Sequence, residues 1–121
     1  MDKKQFNEIK KSLDAFAKSI MDAKQPEYTN QDKDVLANFK RTAENLGLES
    51  QEVWAVFFYK HVQAILSHAH NPDMHQAEPI QSRYADAINY LYLGYALYLE
   101  SISKKHEDLN LIYRGIEWIY I

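Results

Sequence analysis

The residues best suited by type to do chemistry lie in two stretches, Phe58-Tyr59-Lys60-His61 and the run from Glu78 to Tyr90. In the second stretch Asp86 and Asn89 are three residues apart and share one side of a helix, with Arg83 and Tyr90 beside them. Leu93 and Leu97 continue that side. A carboxylate and a carboxamide among apolar neighbours cost free energy unless they are paired. One reading is an Arg83–Asp86 ion pair, with Asn89 satisfying a neighbouring helix end. The other is a polar site inside a helical bundle that binds a ligand or metal, since inward-facing carboxylates are how bundles build such sites. His61 projects from the middle of an apolar stripe formed by Trp54, Phe58 and Ile65, and Lys60 sits at its edge. Such a histidine is either a hydrogen-bonded core residue or a functional group able to titrate near neutrality. If the two stretches pair antiparallel, Lys60 and His61 can meet Asp86, and a cation facing a phosphate becomes conceivable.

Three further groups are candidates. Glu49 and Glu52, three apart at a helix start, suit capping and dipole compensation. His68, His70 and His75, with Asp73, form a possible metal cluster or a solvated loop, and their spacing matches no strong zinc signature. Tyr84, Tyr90, Tyr92, Tyr95 and Tyr98 crowd one segment, as a core, a dimer seam or a ring-stacking surface. No glycine-rich phosphate loop and no Ser/His/Asp nucleophile pattern occurs. The absence of cysteine excludes disulfides and thiolate chemistry.

These residues need a scaffold, and 121 residues support a single domain over 1–121. A chain with 46% hydrophobic residues, three Gly and three Pro favours helices over loop-rich β architecture. A net charge of −3 supplies no basic field, which argues against general nucleic-acid binding. Met1-Asp2-Lys3-Lys4 leads into an amphipathic stretch without a secretion signal, and no apolar run is long enough to span a bilayer, so a cytoplasmic protein without a membrane partner is expected.

Phe6, Ile9, Leu13, Phe16 and Ile20 predict a first helix from Lys3 to about Lys24, closed by Pro26. Asn30 or Asp32 caps a second helix, roughly Asp32 to Leu46, which Gly47 ends. A third helix runs from Ser50 to about His68. Pro79 suits the first turn of a fourth, extending to Lys104 with apolar residues on nearly every side, the mark of a central, buried helix. Leu109 to Ile121 fits either a short helix or a strand and is too apolar to stay in solvent, so it packs on the body or on a second subunit. The expected fold is an all-α bundle of four to five helices.

The order of motifs adds a resemblance. Asn38-Phe39-Lys40-Arg41-Thr42-Ala43-Glu44-Asn45-Leu46-Gly47, then Phe58-Tyr59-Lys60-His61, then Glu78-Pro79-Ile80 with Arg83 and Asp86-Ala87-Ile88-Asn89-Tyr90-Leu91, resembles small phage proteins of the nucleotide-modification-associated type. Those look like distant relatives of the MazG-like all-α nucleotide pyrophosphohydrolases, and the resemblance covers roughly Tyr28 to Glu100. Such enzymes hold magnesium with a glutamate pair on one helix and a Glu-x-x-Asp pair on the next; the metal positions a water that attacks a nucleoside triphosphate and releases pyrophosphate.

By that resemblance Asp86 aligns with the final aspartate and Asn89 with a polar position one turn later. Arg83 stands in place of the glutamate of that pair. Lys60-His61 lies where the first carboxylates belong, unless Glu49 and Glu52 replace them from upstream. Cations there repel magnesium and can meet phosphates directly. The leading expectation is therefore a MazG-like homodimer that binds a nucleotide or related phosphate compound through Lys60, His61, Arg83, Asp86, Asn89 and Tyr90. A retained magnesium-dependent pyrophosphohydrolase would use Asp86 with Glu49, Glu52 and Glu78 as metal ligands. The alternative is a protein-interaction module, for example a phage factor that binds or inhibits a host protein through its tyrosine-rich and C-terminal apolar surfaces, the polar cluster then being structural.

Overall fold

A computed structural model of the chain describes residues 1–29 and 34–106. The expectations for Asn30, Asp32 and the segment Leu109 to Ile121 lie outside the described residues. Four helices follow in order, α1 (Lys3–Thr29), α2 (Ala37–Leu46), α3 (Ser50–His70) and α4 (Ile80–His106), and no strand occurs among the described residues. The fold is an all-α bundle.

Local chemistry sets most of the helix ends. The Asp2 carboxylate accepts the Gln5 N–H and the Gln5 side-chain oxygen accepts the Asp2 N–H, each at 2.8 Å, so the first donors of α1 are satisfied reciprocally. Glu49 and Glu52 build the same capping box at the start of α3. Gly47 closes α2 at φ 68°, a left-handed conformation that costs a residue with a Cβ more than glycine.

Two predicted boundaries move. α1 does not stop at Pro26 but runs three residues beyond it. Proline removes a single helical N–H, and the carbonyl it orphans belongs to Asp22, an exposed residue that water can reach. α2 begins at Ala37 and not near Asp32, because Asp34 makes the turn that leads into it. Its carboxylate accepts the Leu36 N–H at 2.9 Å and its carbonyl accepts the Ala37 N–H at 3.1 Å.

α4 packs against α3 on one side and α1 on the other, and α2 closes the ring by touching α3 and α1; among the described residues α1 and α3 do not pack on each other. Leu36, Phe39 and Ala43 from the α2 region, Val53 of α3 and Leu97 of α4 form the core, with Trp54, Tyr90, Leu93 and Ala96 packed around it. Phe39 lies edge-on to Tyr90 across the bundle, ring centroids 6.2 Å apart. The Lys40 ammonium adds a polar clasp between Asp34 and Glu100, tying α2 to the C-terminal half of α4. Partial burial works against that charge, but hydrogen bonds to both carboxylates and their negative charges outweigh it and hold its pKa above the ordinary lysine value.

The seam between α3 and α4 is antiparallel: Trp54 meets Tyr90 and Gly94, and His61 meets Asp86. Trp54 stacks on Phe58, centroids 5.1 Å apart, and its indole N–H donates to the Tyr90 carbonyl at 2.6 Å. Gly94 makes room for this, since a Cβ there would sit 2.3 Å from the indole ring.

Two apolar stripes are less covered than their patterns suggest. α4 is central but not enclosed, for Tyr84, Leu91, Tyr92, Tyr95 and Tyr98 are exposed along one face. On α1, Phe6 and Ile9 are exposed and the buried contact is made by Ala17, because α4 covers only part of the α1 stripe. Gly94→Ala is expected to destabilise the fold by about 1–3 kcal/mol, as other overpacked sites do. Chemical denaturation measures this, and an unchanged midpoint would mean the indole moves aside without cost.

Candidate functional site

Among the described residues the buried polar side chains are Asp86, 5% exposed, and Asn89, 6% exposed. Both stand on α4, one turn apart, and each is served by a different helix. The Asn89 amide nitrogen donates to the Ala17 carbonyl of α1 at 2.8 Å. Its partner is thus a carbonyl in mid-helix, not a helix end.

Asp86 lies between two cationic or potentially cationic groups. Lys24 Nζ of α1 is 3.7 Å from Oδ1, and His61 Nδ1 of α3 is 3.7 Å from Oδ2. Those separations allow ion-pair attraction but exceed hydrogen-bond length. The Arg83–Asp86 pair expected from their spacing does not form. Arg83 instead reaches back to Glu78, with Nη1 3.1 Å from Oε1, where the loop enters α4. Three residues apart on a helix, Arg83 and Asp86 can touch, but Asp86 turns inward to α1 and α3 while the long guanidinium follows the loop carboxylate.

Two nitrogens in this cluster, His61 Nδ1 and Arg83 Nε, are buried and make no hydrogen bond. The His61 ring lies beside Tyr90, centroids 5.0 Å apart. Its side chain is only 12% exposed, and burial pushes the imidazole pKa below its ordinary 6.5, with Asp86 and Glu78 pulling the other way and Arg83 and Lys60 adding to the depression. His61 is therefore neutral at pH 7.

The antiparallel seam thus brings His61, Arg83, Asp86 and Tyr90 together, with Lys60 exposed at the rim and Asn89 turned to α1. Lys24 joins them from α1 although nothing in its local pattern marks it. Glu49 and Glu52 are occupied in the α3 capping box, about 18 Å from the His61 level for Glu49 at the helical rise, and do not join Asp86. Among the described residues no group of three His, Asp or Glu side chains is arranged to hold a metal ion, the His68, His70 and His75 segment included.

Three surface grooves flank α1 and α4 or lie on α1 itself. The largest, about 770 Å³, runs between the first turns of α1 and the Gln81 and Tyr84 edge of α4. A smaller one of about 370 Å³ is lined by Ala17, Ile88, Asn89 and Tyr92. None of the three is lined by Lys60, His61, Arg83 or Asp86.

Comparisons with protein-family models, curated proteins and solved structures give no match to this chain. No described helix is long and apolar enough to cross a membrane.

Because the folded chain binds the His61 proton less readily than the unfolded chain, the neutral form favours folding. Its contribution is complete above pH 6.5 and is lost as pH falls below that value. His61→Gln is expected to flatten the fall in stability between pH 7 and 5, measured by denaturant melts. An NMR titration of His61 should show a midpoint below 6.5, and a midpoint above it would contradict this account.

Proposed function

We propose that this chain binds a nucleotide or a related phosphate compound beside the start of α4, and that it acts as a cytoplasmic homodimer. The observation that carries the reading is the pair of buried nitrogens, His61 Nδ1 and Arg83 Nε, with no hydrogen-bond partner. Around them Lys60 and Arg83 are positive and Asp86 and Glu78 negative. A phosphate oxygen supplies the acceptor that Arg83 Nε lacks and a partner for the Lys60 ammonium at the rim. In this reading Arg83 and Lys60 meet the anion, Asp86 fixes His61 and Lys24, Tyr90 sets the plane of the imidazole, and Asn89 holds α4 against α1. The resemblance to MazG-like phage proteins points to the same ligand class. Asp86 is paired with Lys24 and Glu78 is engaged by Arg83, so binding, and not magnesium-dependent pyrophosphate release, is the activity proposed.

A second reading, a protein-interaction module such as a phage factor acting on a host protein, is favoured by the uncharged exposed face of α4. In it the polar cluster serves only to position helices.

Thermal shift of the full chain against inorganic pyrophosphate and nucleoside triphosphates, with and without magnesium, separates the two. A ligand at a hundredfold excess over its dissociation constant adds about 2.7 kcal/mol to stability. The expected result is a rise in Tm that does not need magnesium and that Asp86→Ala and Arg83→Gln both abolish while the chain stays helical by circular dichroism. A magnesium-dependent rise with pyrophosphate release would restore the enzyme. No rise with any phosphate compound would sink the ligand reading.

A further inference from the structure

From Ile80 to Ser103, the exposed positions of α4 are Gln81, Tyr84, Leu91, Tyr92, Tyr95 and Tyr98. A central helix thus turns to water a face that carries no charge. Its neighbours leave most of it open: α1 takes the Asn89 side and borders Tyr84, Ile88 and Tyr92 across shallow grooves, and α3 takes the Asp86, Tyr90 and Gly94 side. Uncharged faces of this kind mark interaction sites.

The spacing identifies the occupant. Tyr84, Ile88, Leu91, Tyr95 and Tyr98 follow one another at intervals of four, three, four and three, the a/d repeat by which one helix packs lengthwise on another. Leu91 is the midpoint, with Tyr84 and Tyr98 seven residues to either side. The row Tyr84, Leu91 and Tyr98, evenly spaced about Leu91, fits an identical row running the opposite way, while Ile88, three residues before the centre, and Tyr95, four after it, meet smaller neighbours of the other copy. Antiparallel helices also align their dipoles favourably. No charge on the face selects a partner of opposite sign. Tyr84 is 43% exposed, Tyr92 66%, Tyr95 46%, Tyr98 51% and Leu91 54%. At roughly 200 Å² for a whole side chain, full coverage of these five offers about 500 Å² per copy, hence about 1,000 Å² for a pair, the lower limit for a specific interface.

We infer that the exposed face of α4 is a two-fold interface with a second copy of this chain, antiparallel and centred on Leu91, so that Leu91 meets Leu91 and Tyr84 of one copy meets Tyr98 of the other. The inference deepens the two-copy state proposed above and does not depend on the phosphate ligand.

The chain has no cysteine, so single introduced thiols report the pairing without background. Sedimentation of the full chain at tens of micromolar should give twice the single-chain mass, and Leu91→Glu should give the single-chain mass with unchanged helicity. With a short bis-maleimide, Leu91→Cys alone should crosslink to a dimer, whereas Tyr84→Cys and Tyr98→Cys should crosslink only when mixed. The thiol variants stand as the test if Leu91→Glu does not fold. A parent chain that sediments as one copy overturns the inference, and so does Tyr84→Cys crosslinking to itself as readily as Leu91→Cys, which is the result of parallel pairing. A single-copy chain that still shows a phosphate-induced rise in Tm overturns the pairing alone; a paired chain without the rise overturns the ligand alone.

Discussion

Burying a carboxylate in a bundle whose hydrophobic core is thin constrains everything around it. Asp86 cannot be left uncompensated, because an unpaired charge removed from water costs several kcal/mol. Its two nearest nitrogens come from different helices, the charged Lys24 from α1 and the neutral His61 from α3. Asn89 one turn later repeats the requirement with the Ala17 carbonyl. Polar contacts are directional, so they set how far each neighbour slides along α4, which apolar contact fixes less sharply. That matters here because no large side chain among the described residues is fully buried. Register rests on these ties and on the close fit of Trp54 against Gly94.

What could be read from the amino-acid order was what depends on a single helix. The capping pair of Glu49 and Glu52, the left-handed stop at Gly47 and the shared side of Asp86 and Asn89 all follow from spacing within one segment. Contacts between segments were harder. The antiparallel seam that brings His61 to Asp86 was legible as a possibility, but Lys24 was not, since it sits on the polar flank of α1 and reaches Asp86 only through the way α1 lies on α4. Arg83 and Asp86 look paired by spacing and part company because each finds a better-placed partner outside the helix. The start of α2 was misplaced because a side-chain turn at Asp34 competes with helix extension, a contest that periodicity does not register.

The cluster also shows how opposed requirements meet in one place. Burial makes His61 neutral, which removes a positive charge from the immediate surroundings of Asp86 and leaves Lys24 as its charged partner. Arg83, held by Glu78 through one nitrogen, keeps another buried nitrogen without an acceptor. Buried donors of this kind are uncommon in folded chains, because each costs about 1–3 kcal/mol. The α4 seam therefore stores unsatisfied polarity on its α3 side and unsatisfied apolar surface on its outer face, and these are separate features of one helix.

The way α1 is attached has a consequence for motion. It packs mainly on α4, has no close backbone approach to α3 among the described residues, and carries Phe6 and Ile9 in solvent along its first half. Few buried apolar groups hold it, so its backbone amides should exchange with solvent through partial openings that leave α3 and α4 intact. Every such excursion would carry Lys24 away from Asp86 and strip Asn89 of its acceptor, wetting the interior for as long as the excursion lasts.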